Sequence, residues 1–122
     1  MAESREPLAV DETDRLIAAN KVEGTAVFGR SGERLGEVYT FMVDKRSGQV
    51  AYAVLSLAGR GGRYHPLPWK ALDYDTGLGG FRVDLDGDRL AGAPHYGHDE
   101  DPLADPQYGR NVYGYYGIPY YF

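Results

Sequence analysis

The chain has 122 residues, 43% hydrophobic and 25% charged, with a formal net charge of −5 and no cysteine. One domain with a single core is expected at this length; the acidic balance argues against charge-driven nucleic-acid binding, and the missing cysteines exclude a disulfide framework, a thiolate zinc site and a cysteine nucleophile. No stretch approaches the roughly 18 apolar residues of a membrane span, and Met1-Ala2-Glu3-Ser4-Arg5-Glu6 does not begin a secretory signal, so the expected setting is the cytoplasm.

The 17 glycines and 7 prolines favour turns over long helices. Residues 1–13 are polar and acidic and read as a flexible N-terminal arm. Leu16-Ile17-Ala18-Ala19 and Val22 then supply apolar side chains before Gly24, as a helical turn or as a strand at the domain edge. Thr25–Phe28 reads as a first strand, followed by a loop with glycines at 29 and 32. Leu35–Asp44 reads as a second strand, and its alternation slips near Tyr39-Thr40-Phe41, which predicts a bulge. Arg46-Ser47-Gly48 turns the chain, with Asp44 placed to accept turn amides. Gln49–Leu57 returns as the partner strand and is apolar on both faces: Val50, Tyr52 and Val54 point one way, Ala51, Ala53, Leu55 and Leu57 the other. One face must meet the core and the other something else.

Ala58–Arg63 reads as a flexible loop. Tyr64-His65-Pro66-Leu67-Pro68-Trp69 follows as an edge strand or crossing segment, because two prolines limit ladder pairing. Leu72–Asp75 and Gly80–Leu85 form a last predicted hairpin, and Asp86–Leu90 a single helical turn. The pattern amounts to an all-β fold, a small six-stranded barrel or curled sheet. Residues 97–107 read as an exposed acidic linker. Six of the eleven tyrosines then fall within residues 108–122, YGRNVYGYYGIPYYF, a ring density that demands burial against this barrel, a sister subunit or a partner.

The run from Gly24 through Gly32-Glu33, Leu35-Gly36-Glu37-Val38, Val43-Asp44 and Ser47-Gly48-Gln49-Val50-Ala51-Tyr52-Ala53-Val54 resembles the PRC-barrel domain. Tyr64–Trp69 and Ala93-Pro94 continue the likeness to stand-alone bacterial members, placing the domain at residues 14–96. The family takes its name from the cytoplasmic domain of the photosynthetic reaction centre H subunit, and a related domain ends the ribosome maturation factors. The resemblance implies a six-stranded β-barrel that acts as an adaptor for another macromolecule, with no shared catalytic residues. The chain shows neither the H subunit's transmembrane helix nor the RNA-processing domain of the maturation factors, departures that count against photosynthetic and ribosomal roles.

Candidate chemistry is sparse. His95, His98, Asp99, Glu100 and Asp101 could bind a transition metal, but they lie in a glycine-containing acidic run and read more simply as solvated. Asp84-Leu85-Asp86-Gly87-Asp88 starts like a calcium loop and then fails, with Arg89 and His95 where glycine and glutamate belong. Gly59–Arg63 lacks the strand-to-helix setting of a phosphate loop, and His65 has no evident nucleophile to serve. The expectation is no catalytic, metal or cofactor site. The expected role is a non-catalytic interaction module, an adaptor or stress-related scaffold, that forms a homodimer and engages a protein partner. The expected contact residues are Tyr52, Val54, Trp69, Tyr113, Tyr115, Tyr116, Tyr120, Tyr121 and Phe122, with Trp69 also plugging one barrel end. An RNA- or ribosome-associated factor and a small-ligand or metal-binding protein are the alternatives.

Overall fold

The structure is a computed structural model that describes residues 17–57 and 62–122. The expected N-terminal arm and most of the loop after Leu57 lie outside the described residues. Among the described residues, seven strands form one sheet: β1 (Ala26–Phe28), β2 (Arg34–Val43), β3 (Val50–Leu57), β4 (Arg63–Pro68), β5 (Leu72–Asp75), β6 (Gly80–Val83) and a two-residue β7 (Tyr96–Gly97). Their order is β5-β6-β1-β2-β3-β4-β7. All neighbours are antiparallel except β1 and β6, which run parallel with Val27 opposite Phe81. Among the described residues, three α-helices, α1 (Ala19–Val22), α2 (Gly87–Ala91) and α3 (Pro106–Tyr115), and two 3-10 turns at Trp69–Ala71 and Pro102–Ala104 complete the fold.

Local chemistry accounts for the joints. The β2–β3 connection is closed by Asp44, whose carboxylate accepts from the amide and hydroxyl of Ser47 at 3.0 and 2.7 Å. Those hydrogen bonds hold its carboxyl below the usual range. Gly48 takes φ +75° in the same turn, a conformation that costs a side-chain-bearing residue. The slip at Tyr39 is a register shift between Val38 and Thr40 in the β2–β3 ladder, as the sequence pattern predicts. A side chain at Gly36 would strike the Ser56 carbonyl oxygen on β3, so the two strands approach only because that position is bare. In α2, Asp86 caps the helix by accepting from the Arg89 amide at 2.8 Å. Leu16 lies outside the described residues; over residues 17–22 both readings survive in part, since Ile17 makes a strand bridge and α1 follows it.

The sheet curls. Four ladder steps separate β6 from β4, about 19 Å in a flat sheet. Yet Trp69, directly after β4, places its ring 5.6 Å from that of Phe81 on β6 and 6.3 Å from Phe41. The inner face is lined by Val27, Val38, Ala53, Leu55, Leu67 and Phe81, all buried, with Leu90 of α2 closing one side. The result is an all-β curled sheet of six main strands plus β7, with β5 and β7 at its two edges. The prolines of β4 fit an edge position: Pro66 and Pro68 pair only with β3, and β7 reaches only Arg63 and Tyr64.

Candidate interaction surface

The second apolar face of β3 finds its cover in the same chain. Asp105 caps α3 by accepting from the Gln107 amide at 2.9 Å, with Pro106 at the first helical position. Tyr108, Val112 and Tyr116 recur four residues apart and share a side of the helix. With Tyr113, they pack against Ala51 and Tyr52 of β3 in a second apolar cluster. The Tyr113 hydroxyl donates to the Ala51 carbonyl at 2.5 Å, anchoring helix to strand within the buried layer. Burial pushes the phenols of Tyr108 and Tyr113 up to about 12 and raises those of Tyr52 and Tyr116 further.

The helix ends in a Schellman motif. Gly117 takes φ +71°, and the Ile118 amide bonds back to the Tyr113 carbonyl at 3.0 Å. The last residues then return along the helix as a strap, 118–122. The Tyr120 ring crosses the helix at Gly109, where a Cβ would lie 2.8 Å from the ring and 2.6 Å from the Tyr52 hydroxyl. Tyr120 and Phe122 meet the Tyr113 ring edge-on, at 5.1 and 6.1 Å. Among the described residues, no backbone hydrogen bond ties residues 119–122 to the barrel.

The expected contact residues therefore divide. Tyr52, Val54 and Tyr113 are buried within the chain and face no partner as it stands. Tyr115 is tied to α2, its hydroxyl donating to the Arg89 carbonyl at 2.6 Å while the Arg89 guanidinium lies 4.7 Å above its ring. Tyr116 is half-buried against both apolar clusters. Trp69 is half-buried at the core, on a 3-10 turn. Tyr121 is 81% exposed and Phe122 41%, and beside them sequence reasoning missed Met42 and Val43, 42% and 48% exposed at the far end of β2. Their signal lay in the pattern, since two apolar residues flank the turn on a strand whose register has just slipped.

Two open grooves flank the strap. One of about 380 Å³ runs between Val50, Trp69, Lys70 and Tyr121, and one of about 580 Å³ between Met42, Val43, Leu103 and Tyr121. Asp44 and Phe122 border both, and Arg46 adds a cation to the second. The surface mixes aromatic and aliphatic side chains with polar ones and the charges of Asp44, Arg46 and Lys70, a composition that protein contacts share.

The remaining candidates lie elsewhere. His65 is buried and stacks on His95, 4.9 Å between ring centres. His98 faces the Tyr64 hydroxyl at 3.4 Å, and Glu100 accepts from the Gly97 amide at 2.7 Å. Among the described residues, no three His, Asp or Glu side chains gather as a metal site, and no helix is long and apolar enough to cross a membrane. No curated protein matches the chain. The family model described as PRC-barrel domain matches residues 14–90, well over half the chain and the stretch that builds β1 to β6, and the chain belongs to the PRC-barrel domain family.

Proposed function

We propose that this chain is a non-catalytic interaction module that pairs with a second copy of itself and serves as an adaptor in the cytoplasm. One observation carries the reading: Met42, Val43, Tyr121 and Phe122 lie exposed side by side next to the part of β3 that α3 covers. Contiguous apolar surface of this kind marks contact sites, and symmetric pairing is the commonest way to hide it. The second apolar face of β3 is not the pairing surface, because α3 and the strap occupy it. The exposed strip beside the strap takes its place.

Sedimentation velocity over a concentration series tests the reading. The wild type should dimerise in the micromolar range, and Val43→Asp should sediment as a monomer with an unchanged melting temperature. Because the contact is apolar, the dimer should weaken little between low and moderate salt. A wild type that stays monomeric at every concentration would refute the proposal. Co-purifying RNA whose affinity falls steeply with salt would replace it with nucleic-acid binding.

A further inference from the structure

We infer that the row of rings Tyr39–Tyr64–Tyr96 is a docking site for an arginine-bearing segment of a partner protein. The row lies at the Ser56 end of β3, away from the Ala51–Tyr52 end that α3 covers. It stands whether or not the chain pairs with a second copy.

The row follows from strand register. Tyr64 on β4 lies opposite Ser56 of β3 on one side and Tyr96 of β7 on the other, so the three share a face. On β2 the slip between Val38 and Thr40 leaves Tyr39 out of the ladder, 55% exposed. Its ring reaches over β3, where Ser56 is too short to intervene, and meets the Tyr64 ring at 4.8 Å. Tyr96 continues the row, its ring 5.7 Å from that of Tyr64. Successive planes tilt by 38° and 42°, so the rings make a curved platform, with Tyr64 and Tyr96 half-buried.

Exposed carboxylates stand at both ends of it. Beside Tyr39, Glu37 pairs with Ser56, and Glu23 accepts from the Thr40 hydroxyl at 2.8 Å. Beside Tyr96, Glu100 accepts from the Gly97 amide at 2.7 Å. Asp101 is close enough that its charge adds to burial in raising the Tyr96 phenol. Arg63, the cation next to Tyr64 on β4, alternates to the opposite face. A tyrosine face attracts a cation held within about 6 Å of its centre. A guanidinium stacks flat on such a ring and forks onto a carboxylate, whereas an ammonium is a compact point charge. The carboxylates would repel the phosphates of a nucleic acid, and a chain of net charge −5 complements a basic partner better than a second copy of itself.

The test titrates an amidated Gly-Arg-Gly-Arg-Gly peptide into isotope-labelled full-length protein, followed by nuclear magnetic resonance. The Tyr39, Tyr64 and Tyr96 ring signals should shift and saturate, with a dissociation constant on the order of 1 mM. The neutral citrulline counterpart should leave them in place. Tyr39→Leu, at an exposed position, should keep its melting temperature and weaken binding about two- to fivefold, while Tyr39→Phe retains the ring face and the affinity. Glu37→Gln and Glu100→Gln leave every ring in place and should each weaken binding about twofold or more. Saturation that Tyr39→Leu leaves unchanged would reduce the effect to surface charge and overturn the inference. Shifts centred on Met42 and Val43, or no saturation up to about 10 mM peptide, would also overturn it. A stronger response to oligouridylate would replace the arginine segment with stacked bases.

Discussion

Gly109 and Gly114 stand in the same helix and differ in what lies above them. Helix propensity treats the two alike: replacing either by alanine should stabilise α3 by up to about 1 kcal/mol. The packing does not. At Gly114 a new Cβ meets nothing within 4 Å, whereas at Gly109 it would sit 2.6 Å from the Tyr52 hydroxyl and 2.8 Å from the Tyr120 ring. Ordinary contact begins near 3.4 Å, so the overlap is 0.6–0.8 Å, against the hydroxyl of the buried Tyr52 and the half-buried Tyr120 ring. Such overpacking costs ~1–3 kcal/mol, so Gly114→Ala should be stabilised and Gly109→Ala unchanged or destabilised by up to about 2 kcal/mol. The gap between them is the clash itself. For a domain of this size it corresponds to a difference in melting temperature of roughly 3–12 °C by calorimetry. Introducing Tyr120→Ala should narrow the gap, leaving only the Tyr52 hydroxyl in the way. Equal melting temperatures for the two alanine variants would show that the strap does not lie on Gly109.

Val54→Asp, at a site 1% exposed between Thr40 and Pro66, should lose several kcal/mol and unfold the domain by circular dichroism; a soluble variant with an unchanged melting temperature would remove Val54 from the interior. Tyr113→Phe keeps the ring but strands the buried Ala51 carbonyl, and should cost about 1–3 kcal/mol in chemical denaturation. The pH dependence follows from the phenols of Tyr108 and Tyr113, raised by burial from 10 to about 12. Their folded values exceed the unfolded one, so this stability is fully present below pH 10 and is lost as pH rises toward 12. Phenolate absorbance near 295 nm should accordingly show tyrosines titrating late and together with loss of the fold. Titration of every tyrosine near 10 with the fold intact would contradict the buried layer.

The sheet was legible because its signals are local. The slip at Tyr39, the Asp44–Gly48 turn and the two-faced β3 each follow from spacing within a few residues. Helix α3 was not read, since its YGRNVYGY carries two glycines, an asparagine and three tyrosines, and no propensity argument would choose it. Its start is nonetheless written in Asp105-Pro106, a cap followed by a proline at the first turn, and its docking face in the four-residue spacing of Tyr108, Val112 and Tyr116. The exposed strip was harder to see, because Met42 and Val43 lie on β2 while Tyr121 and Phe122 arrive from the other end of the chain. Only the fold of α3 brings them together.

The parallel pairing of β1 with β6 bears on how the chain reaches this state. Val27 and Phe81 are 54 positions apart, whereas β2 with β3 and β5 with β6 join across short turns. Closing the long loop sacrifices chain entropy before the paired strands repay it, so we expect the two hairpins to form first and the β1–β6 ladder to lock them together late. Mutations in that ladder should then speed unfolding more than they slow folding. Val27→Ala tests the order by stopped flow, and a variant whose lost stability appears mainly as slower folding would reverse it. A late seam of only two paired positions also makes it the place where the native barrel first comes apart under stress, with each hairpin still holding its own hydrogen bonds.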